Sequence, residues 1–229
     1  DEEKKRRQKY YDVNLKSSLD FGKYNRLTLG SQYQLDYIES ISDIGEGSRD
    51  VYTWSAYAQD EIKLLDKKLQ IVPGARFVYH EAFKSYFTPK LAAMYSLDKF
   101  NIRASYASGF RAPDMKELYI NAVSGSTLSI GDADIKPEKS NSFSFNAEYM
   151  HQLFTIGATA YVNKVKNIIV SKNISDQITP EETASGIKKK LMYANSSEAR
   201  VKGFDITVNS YFGAGLSLGL GYSFVDSKD

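Results

Sequence analysis

Few residues in this chain could do covalent chemistry. Its 229 residues include no cysteine and two histidines, His80 and His151. No thiol can act as nucleophile, disulfide partner or metal ligand, and two separated imidazoles do not make a histidine-based zinc centre. No catalytic residue, metal ligand or cofactor is therefore expected, and the chain does not read as an enzyme. The residues that could recognise something cluster around Arg111, followed by Pro113, Glu117 and Tyr119, with Lys136, Pro137 and Glu138 further on. A guanidinium fork suits carboxylates. Arg111 could contact a ligand beside Tyr119, or pair with Glu117 or Glu138 and stiffen a loop that Pro113 already restrains. His80 has the same two readings, as a ligand contact or as a hydrogen-bonded interior histidine. His151 falls at a short turn and reads as solvated.

The elements that carry these residues are strands. From Val51 to Leu64 one parity reads Tyr52, Trp54, Ala56, Ala58, Asp60, Ile62, Leu64, and the other Val51, Thr53, Ser55, Tyr57, Gln59, Glu61, Lys63. That is a period of two, one apolar face and one polar. Asp60 breaks the pattern and is read as an exception or a bulge. The split recurs around Leu27–Tyr37, Phe100–Ala107, Phe154–Asn163 and Leu216–Phe224. Ten strands are expected, at 10–20, 26–39, 51–64, 69–82, 86–97, 100–110, 140–150, 153–169, 190–212 and 216–226. Many exceed the five or six residues of an ordinary strand and meet the ~9–11 needed to cross a bilayer on a tilt.

Connections alternate in length. Short turns fall at Phe21–Asn25, Leu65–Lys68, Asp98–Lys99, His151–Gln152 and Gly213–Gly215, and longer loops at 40–50, 111–139 and 170–189, with a smaller one near 82–85. Short periplasmic turns against long external loops is the habit of outer-membrane barrels. Tyr10, Tyr11, Tyr52, Trp54, Tyr79, Phe87, Tyr95 and Phe212 would form the interfacial girdles. A soluble sandwich also alternates, but its strands stay short. The polar parity, with Asp12, Lys16, Asp36, Glu61, Lys63, Arg76, Lys90, Arg103, Glu148 and Asp205, would face the lumen. Many of these charges would pair with whatever fills it and be solvated where nothing does, with opposite-sign neighbours across strands adding about 0.2–1 kcal/mol per pair. Thirty Lys and Arg against 28 Asp and Glu give a net charge of +2 and no electrostatic case for nucleic acid. The opening run DEEKKRRQKY is not a secretory signal, so the chain reads as cytosolic or as an internal piece of a longer protein.

Two segments carry more than pattern. Residues 109–119, GFRAPDMKELY, and 131–141, GDADIKPEKSN, resemble the FRAP and NP-x-L-KPE pair that flanks one external loop of TonB-dependent outer-membrane receptors. The matching positions are Phe110, Arg111, Ala112, Pro113 and Glu117, then Lys136, Pro137 and Glu138. YAQDEIKL at 57–64, VPGARFVYH at 72–80 and YANSSEARVKGFDI at 193–206 resemble the same family, with Asp205 in place of the usual Glu. Asp132-Ala133-Asp134-Ile135 departs from the usual Asn-Pro-x-Leu. The resemblance implies an antiparallel transmembrane β-barrel segment, about ten strands of a barrel of some 22 with a plugged lumen. An N-terminal plug domain and the segment that meets the energy-coupling protein TonB would lie outside this chain. It also implies a bacterial outer-membrane location, lipid contact and a small-molecule cargo that is scarce and bulky. A motif shared by receptors for many cargoes suits loop architecture, which favours the structural reading of Arg111. Haem receptors resembling this chain carry a histidine between the two motifs. Residues 114–134 have none, only Tyr119 and Met115 as stand-ins, and they offer Ser124, Ser126, Thr127, Ser129, Asp132 and Asp134 as polar groups. An iron–siderophore complex is therefore ranked first, then haem and cobalamin. More distant alternatives are a passive porin and a ten-stranded outer-membrane protease. The protease would need a histidine and carboxylates converging at the rim, where Glu81 beside His80 faces the other way.

Overall fold

In a computed structural model of the chain, the described residues are 6–40 and 48–228. The first five residues of the opening charged run and the centre of the expected 40–50 loop lie outside them. In chain order the elements are β1 (Arg6–Phe21), β2 (Asn25–Ser40), β3 (Ser48–Leu64), β4 (Leu69–His80), β5 (Lys84–Leu97) and β6 (Phe100–Arg111). Then come a one-turn helix α1 (Met115–Tyr119), β7 (Asn121–Ser124), β8 (Thr127–Ile130), β9 (Glu138–Met150), β10 (Phe154–Lys166) and β11 (Ile169–Asn173). A 3₁₀ turn (Ser175–Gln177), α2 (Pro180–Ala184), β12 (Lys189–Asn195), β13 (Glu198–Phe212) and β14 (Leu216–Lys228) complete it. Among the described residues no helix is long and apolar enough to cross a membrane.

Ten strands form one antiparallel meander, β1-β2-β3-β4-β5-β6-β9-β10-β13-β14, with β1 and β14 at its edges. These are the ten strands that the alternation predicts, several of them longer than predicted. Cross-strand partners show why the pattern is legible. Tyr33 stands opposite Trp54 and Trp54 opposite Tyr79. Phe145 meets Ala160, Ala160 meets Phe204 and Phe204 meets Phe224. Partners share a face, so one surface is a continuous apolar and aromatic band. It is exposed: Leu15, Phe87, Leu91, Phe143 and Leu220 are each at least half accessible. Tyr52 lies 6.0–6.1 Å from both Tyr33 and Tyr79, and Trp54 donates to Ser31 Oγ at 3.0 Å. Tyr10 is a correction to the girdle. Its neighbour Tyr11 takes the outward parity, while the Tyr10 hydroxyl turns inward and donates to Asp12 Oδ2 at 3.0 Å.

Asp60 is not at a bulge. Gln59 pairs with Gly74 and Ile62 with Ile71, so no residue is inserted, and Asp60 stands opposite Pro73, whose ring nitrogen has no proton to give the ladder. Its Oδ2 accepts from Asn25 at 3.2 Å, while its Oδ1 is buried with no partner. Pro89 limits pairing similarly: the β5–β6 ladder stops at Lys90 opposite Ala107, one residue short of it. Beyond that point Tyr86 and Phe110 stack at 3.9 Å across the seam.

The two longest predicted strands, 153–169 and 190–212, are each broken. β10 and β13 pair up to Lys166 opposite Glu198, and β11 and β12 resume with Ile169 opposite Asn195. The register carries straight through, so the hairpin bends as a unit at Asn167, which is left-handed at φ 56°. Asn167 donates its backbone N–H to Ser197 O at 3.1 Å, and Ser196 donates to Ile168 O at 2.6 Å. Above the bend lies a second sheet of order β11-β12-β8-β7, with β12 parallel to β8. The predicted loops 111–139 and 170–189 are thus largely folded. Of the six buried apolar residues among those described, Leu118, Leu128, Ile135 and Ile187 belong to this rim layer, with Ile38 and Val78 the other two. Most of the buried core therefore lies in the rim layer.

Candidate functional site

Arg111, at the rim end of β6, is the hub. Its Nε and Nη2 donate to the two oxygens of Glu138 at 2.9 and 2.7 Å, and Nη1 donates to both oxygens of Glu117 at 3.0 and 3.2 Å. Glu138 begins β9 directly opposite Arg111 in the ladder. Glu117 closes a capping box on α1: Asp114 N–H donates to Glu117 Oε2, and Glu117 N–H to Asp114 Oδ1, both at 2.8 Å. The second oxygen function of Glu138 reaches further, since its Oε1 also accepts from the Ile169 amide at 2.9 Å. One guanidinium therefore ties β6, α1, β9 and β11 together. The fork, Glu138 first, raises the Arg111 pKa above its ordinary value despite partial burial, and Arg111 in turn lowers that of Glu138.

A second pin is neutral. The Asn195 side chain accepts from Lys136 N–H at 2.7 Å and donates to Lys136 O and to Asn167 O, both at 2.8 Å. It acts as a strand partner for residue 136 just where β12 leaves the barrel. Asn167 Nδ2 donates to Pro137 O at 3.4 Å. Gly131 completes the layer by donating to Ile120 O at 2.6 Å. A Cβ there would lie 2.5 Å from the Leu118 carbonyl carbon, so only glycine permits this approach of β8 to α1.

Below the rim the inward wall is polar and connected. Asp12 Oδ2 accepts from Gln32 at 2.7 Å and Gln34 at 2.8 Å, and Gln32 in turn accepts from Arg76. Arg76 donates to Ser55 Oγ at 2.9–3.1 Å with its guanidinium 5.4 Å from the Tyr57 ring. Further round, Arg103 donates to Asn146 at 2.9 Å and Glu148 at 3.2 Å, and Lys63 pairs with Glu61 at 2.9 Å. These charges are partnered within the sheet, as the cross-strand reading allows, and are not simply solvated even with the lumen uncovered. The side chains of Lys16, Lys90 and Asp205 make no hydrogen bond or ion pair among the described residues.

Two concavities open beside the clasp. One, of about 440 Å³, is lined by Gln34, Ser55, Arg76, His80, Phe110 and Arg111, among others. His80 is buried, its Nδ1 accepts from Ala82 N–H at 3.2 Å, and its ring lies 5.0 Å from Phe83. The other, of about 330 Å³, is lined by Arg49, Asp50, Glu81, Met115, Leu118 and Tyr119, among others. There the Arg49 guanidinium sits 4.2 Å from the Tyr119 ring centroid. The three predicted ligand contacts are therefore divided: Arg111 and His80 share one concavity and Tyr119 belongs to the other. His151 closes its turn, with Nδ1 accepting from Leu153 N–H at 3.4 Å. Sequence reasoning did not single out Arg49, Gly131 or Asn195. Asn195 had a signal, as the Asn of the quoted Tyr-x-Asn segment, but nothing in the sequence says which backbone it meets. Among the described residues no group of three or more His, Asp or Glu is arranged to hold a metal.

Comparison with known proteins agrees with this architecture. The family model described as TonB dependent receptor-like, beta-barrel matches residues 2–229. The vitamin B12 transporter of Vibrio vulnificus is 27% identical over 137 residues, 59% of this chain and 20% of that protein. The ferric enterobactin receptor PirA of Pseudomonas aeruginosa is 26% identical over 163 residues, 65% of this chain and 21% of that one. The crystal structure of the siderophore receptor PirA from Pseudomonas aeruginosa superposes with a TM-score of 0.84 at 20% identity, over 97% of this chain and 43% of that one. The chain thus spans between a fifth and a half of the length of these relatives. A family match over nearly its whole length, joined to the open meander and its apolar outer band, shows that the chain belongs to the TonB-dependent receptors of the bacterial outer membrane, as part of their β-barrel.

Proposed function

We propose that the chain forms part of the barrel wall and rim of an energy-coupled importer whose cargo is an iron–siderophore complex. The observation that carries this reading is the rim concavity where Arg49 stacks on Tyr119 beside Met115 and Leu118. A guanidinium on an aromatic face offers both positive charge and a flat apolar surface, which suits an anionic, ring-bearing chelate. One relative of the chain, PirA of Pseudomonas aeruginosa, is named both a ferric enterobactin receptor and a siderophore receptor. A plug domain in the lumen and TonB on the periplasmic side complete the proposed machine. The connected inward wall from Asp12 to Arg76 supplies donors and acceptors for such a plug. The protein does no covalent chemistry in this reading; energy delivered through TonB moves the plug.

Cobalamin is the second reading, favoured by two relatives named as vitamin B12 transporters. Equilibrium titration of the full-length receptor with a ferric siderophore, cyanocobalamin and haem separates the readings. Tight binding of a ferric siderophore, weakened roughly tenfold by Arg49→Ala as expected for one cation–π and charge contact, supports the first. Cobalamin binding without siderophore binding replaces it with the second. Tight haem binding that is lost on mutating Tyr119 and Met115, the stand-in ligands within residues 114–134, overturns both.

A further inference from the structure

On four neighbouring strands the outward row of side chains changes character at one level. Reading toward the rim, it runs Phe145, Phe143, Asn141, Lys139 on β9 and Ala160, Val162, Lys164, Lys166 on β10. On β13 it runs Ile206, Phe204, Lys202, Arg200, and on β14 Tyr222, Phe224, Asp226, Lys228. The registers place Lys164 opposite Arg200, Arg200 opposite Lys228, and Lys139 opposite Lys166. Six cations thus share this face with two carboxylates, Glu198 and Asp226. Glu198 pairs with Lys164 at 2.7 Å and Asp226 with Lys202 at 3.3 Å. Lys139 lies 5.0 Å from the Tyr86 ring, and Lys166, Arg200 and Lys228 make no ion pair among the described residues.

Like charges set directly opposite each other destabilise an antiparallel pair. Two such contacts side by side across three strands, with a third beside them, are a cost that an overlying anion would remove. The patch is local. On β4, β5 and β6 the outward row reaches the rim through Tyr79, Phe87 and Phe110 with no cation in it. Its height is also informative. The cations begin two residues beyond Phe204 and continue to four, roughly 7–13 Å along the strand. That is headgroup depth, just past an apolar band of bilayer-spanning length. A ligand for this surface needs an anion above and hydrocarbon below.

We propose that this patch binds the phosphate groups of an outer-leaflet lipid, whose acyl chains lie on Phe143, Phe145, Phe204 and Phe224. Cations near a membrane surface attract anionic headgroups by about fivefold in affinity each. The test uses the full-length receptor in detergent and three probes: a phosphorylated lipopolysaccharide, the same lipid after removal of its phosphates, and inorganic phosphate. Removing three charges with Lys164→Gln, Lys166→Gln and Arg200→Gln should weaken phosphorylated-lipid binding roughly 100-fold. Lys67→Gln with Lys68→Gln, at a turn on the opposite end of the barrel, should leave it unchanged. The dephosphorylated lipid should bind wild type and triple variant equally weakly, and inorganic phosphate should not displace the intact lipid at comparable concentration. Should the triple variant fail to assemble, Arg200→Gln alone should still lower affinity about fivefold. Undiminished binding in the variants, or equal binding of the dephosphorylated lipid, overturns the proposal. Displacement by inorganic phosphate overturns the lipid assignment in favour of a simple anion site.

Discussion

Arg111 has a fixed job in this structure, because all three of its guanidinium nitrogens are engaged by Glu117 and Glu138. Its shape is what matters. Arg111→Lys keeps the charge but cannot serve two carboxylates with a planar fork. The side chain is partly exposed, so the loss should be moderate, about 1–2 kcal/mol after allowing for solvent screening. The Ile169 amide, held by Glu138 Oε1, reports it directly: in the full-length receptor its hydrogen exchange should quicken roughly tenfold. Unchanged exchange would mean that β11 is held by other contacts. The same amide gives a pH prediction. Arg111 lowers the folded-state pKa of Glu138, so the carboxylate's contribution is fully present above the ordinary carboxylate range. It is lost as pH falls through the depressed folded value. Protection of Ile169, corrected for intrinsic exchange, should hold from neutrality into the mildly acid range and then collapse, and the collapse should be absent in Glu138→Gln. The pairing itself was legible, since an arginine in a motif with two carboxylates offers few partners. Its reach to Ile169 was not, because that contact depends on the bend at Asn167, far along the chain from Arg111.

Element by element, legibility followed length. A barrel strand of a dozen residues repeats its in–out alternation often enough to be read. β7 and β8, of four residues each, and β11, of five, do not. They read as loop because their pattern is too short to show a period, and because the β7–β8 hairpin reaches the rest of its sheet only through β12, far along the chain. The 190–212 run reads as one strand for the opposite reason. Its alternation continues through the bend, since β11 and β12 keep the register of β10 and β13. What stops the wall is a left-handed Asn167 and the Asn195 side chain standing in for a backbone partner. The rim layer is folded around a small core of Leu118, Leu128, Ile135 and Ile187, and Gly131 is its tightest point. Gly131→Ala should push α1 away from β8, costing about 1–3 kcal/mol as an overpacked contact. Limited proteolysis of the full-length receptor should then cut within residues 114–134 while the barrel strands stay protected. Resistance equal to wild type would show that α1 can shift without loosening the layer.

At the scale of the molecule, an apolar band faces outward and the core lies in the rim, so lipid is the solvent for most of the large side chains. Two neighbours in mid-strand test that assignment. Ala158 is exposed on the outward face between Ala147 and Ile206, and Thr159 points inward between Asn146 and Asp205. In the full-length receptor Ala158→Arg should cost about 2–4 kcal/mol, the penalty for a guanidinium near the bilayer midplane. Thr159→Arg places the same charge opposite Asp205, which has no partner of its own among the described residues, and should assemble close to wild type. Equal assembly of the two variants would mean that the faces are interchanged or that neither meets lipid. The 229-residue chain taken alone gives a harsher test of the same reading. β1 and β14 leave two long edges of backbone N–H and C=O groups with no strand beside them, and each such group costs several kcal/mol in hydrocarbon. Expressed by itself, the chain should aggregate or demand detergent, with sedimentation showing no discrete monomer in buffer. A monodisperse species that melts cooperatively without detergent would require the outward band to be buried by some fold other than this meander.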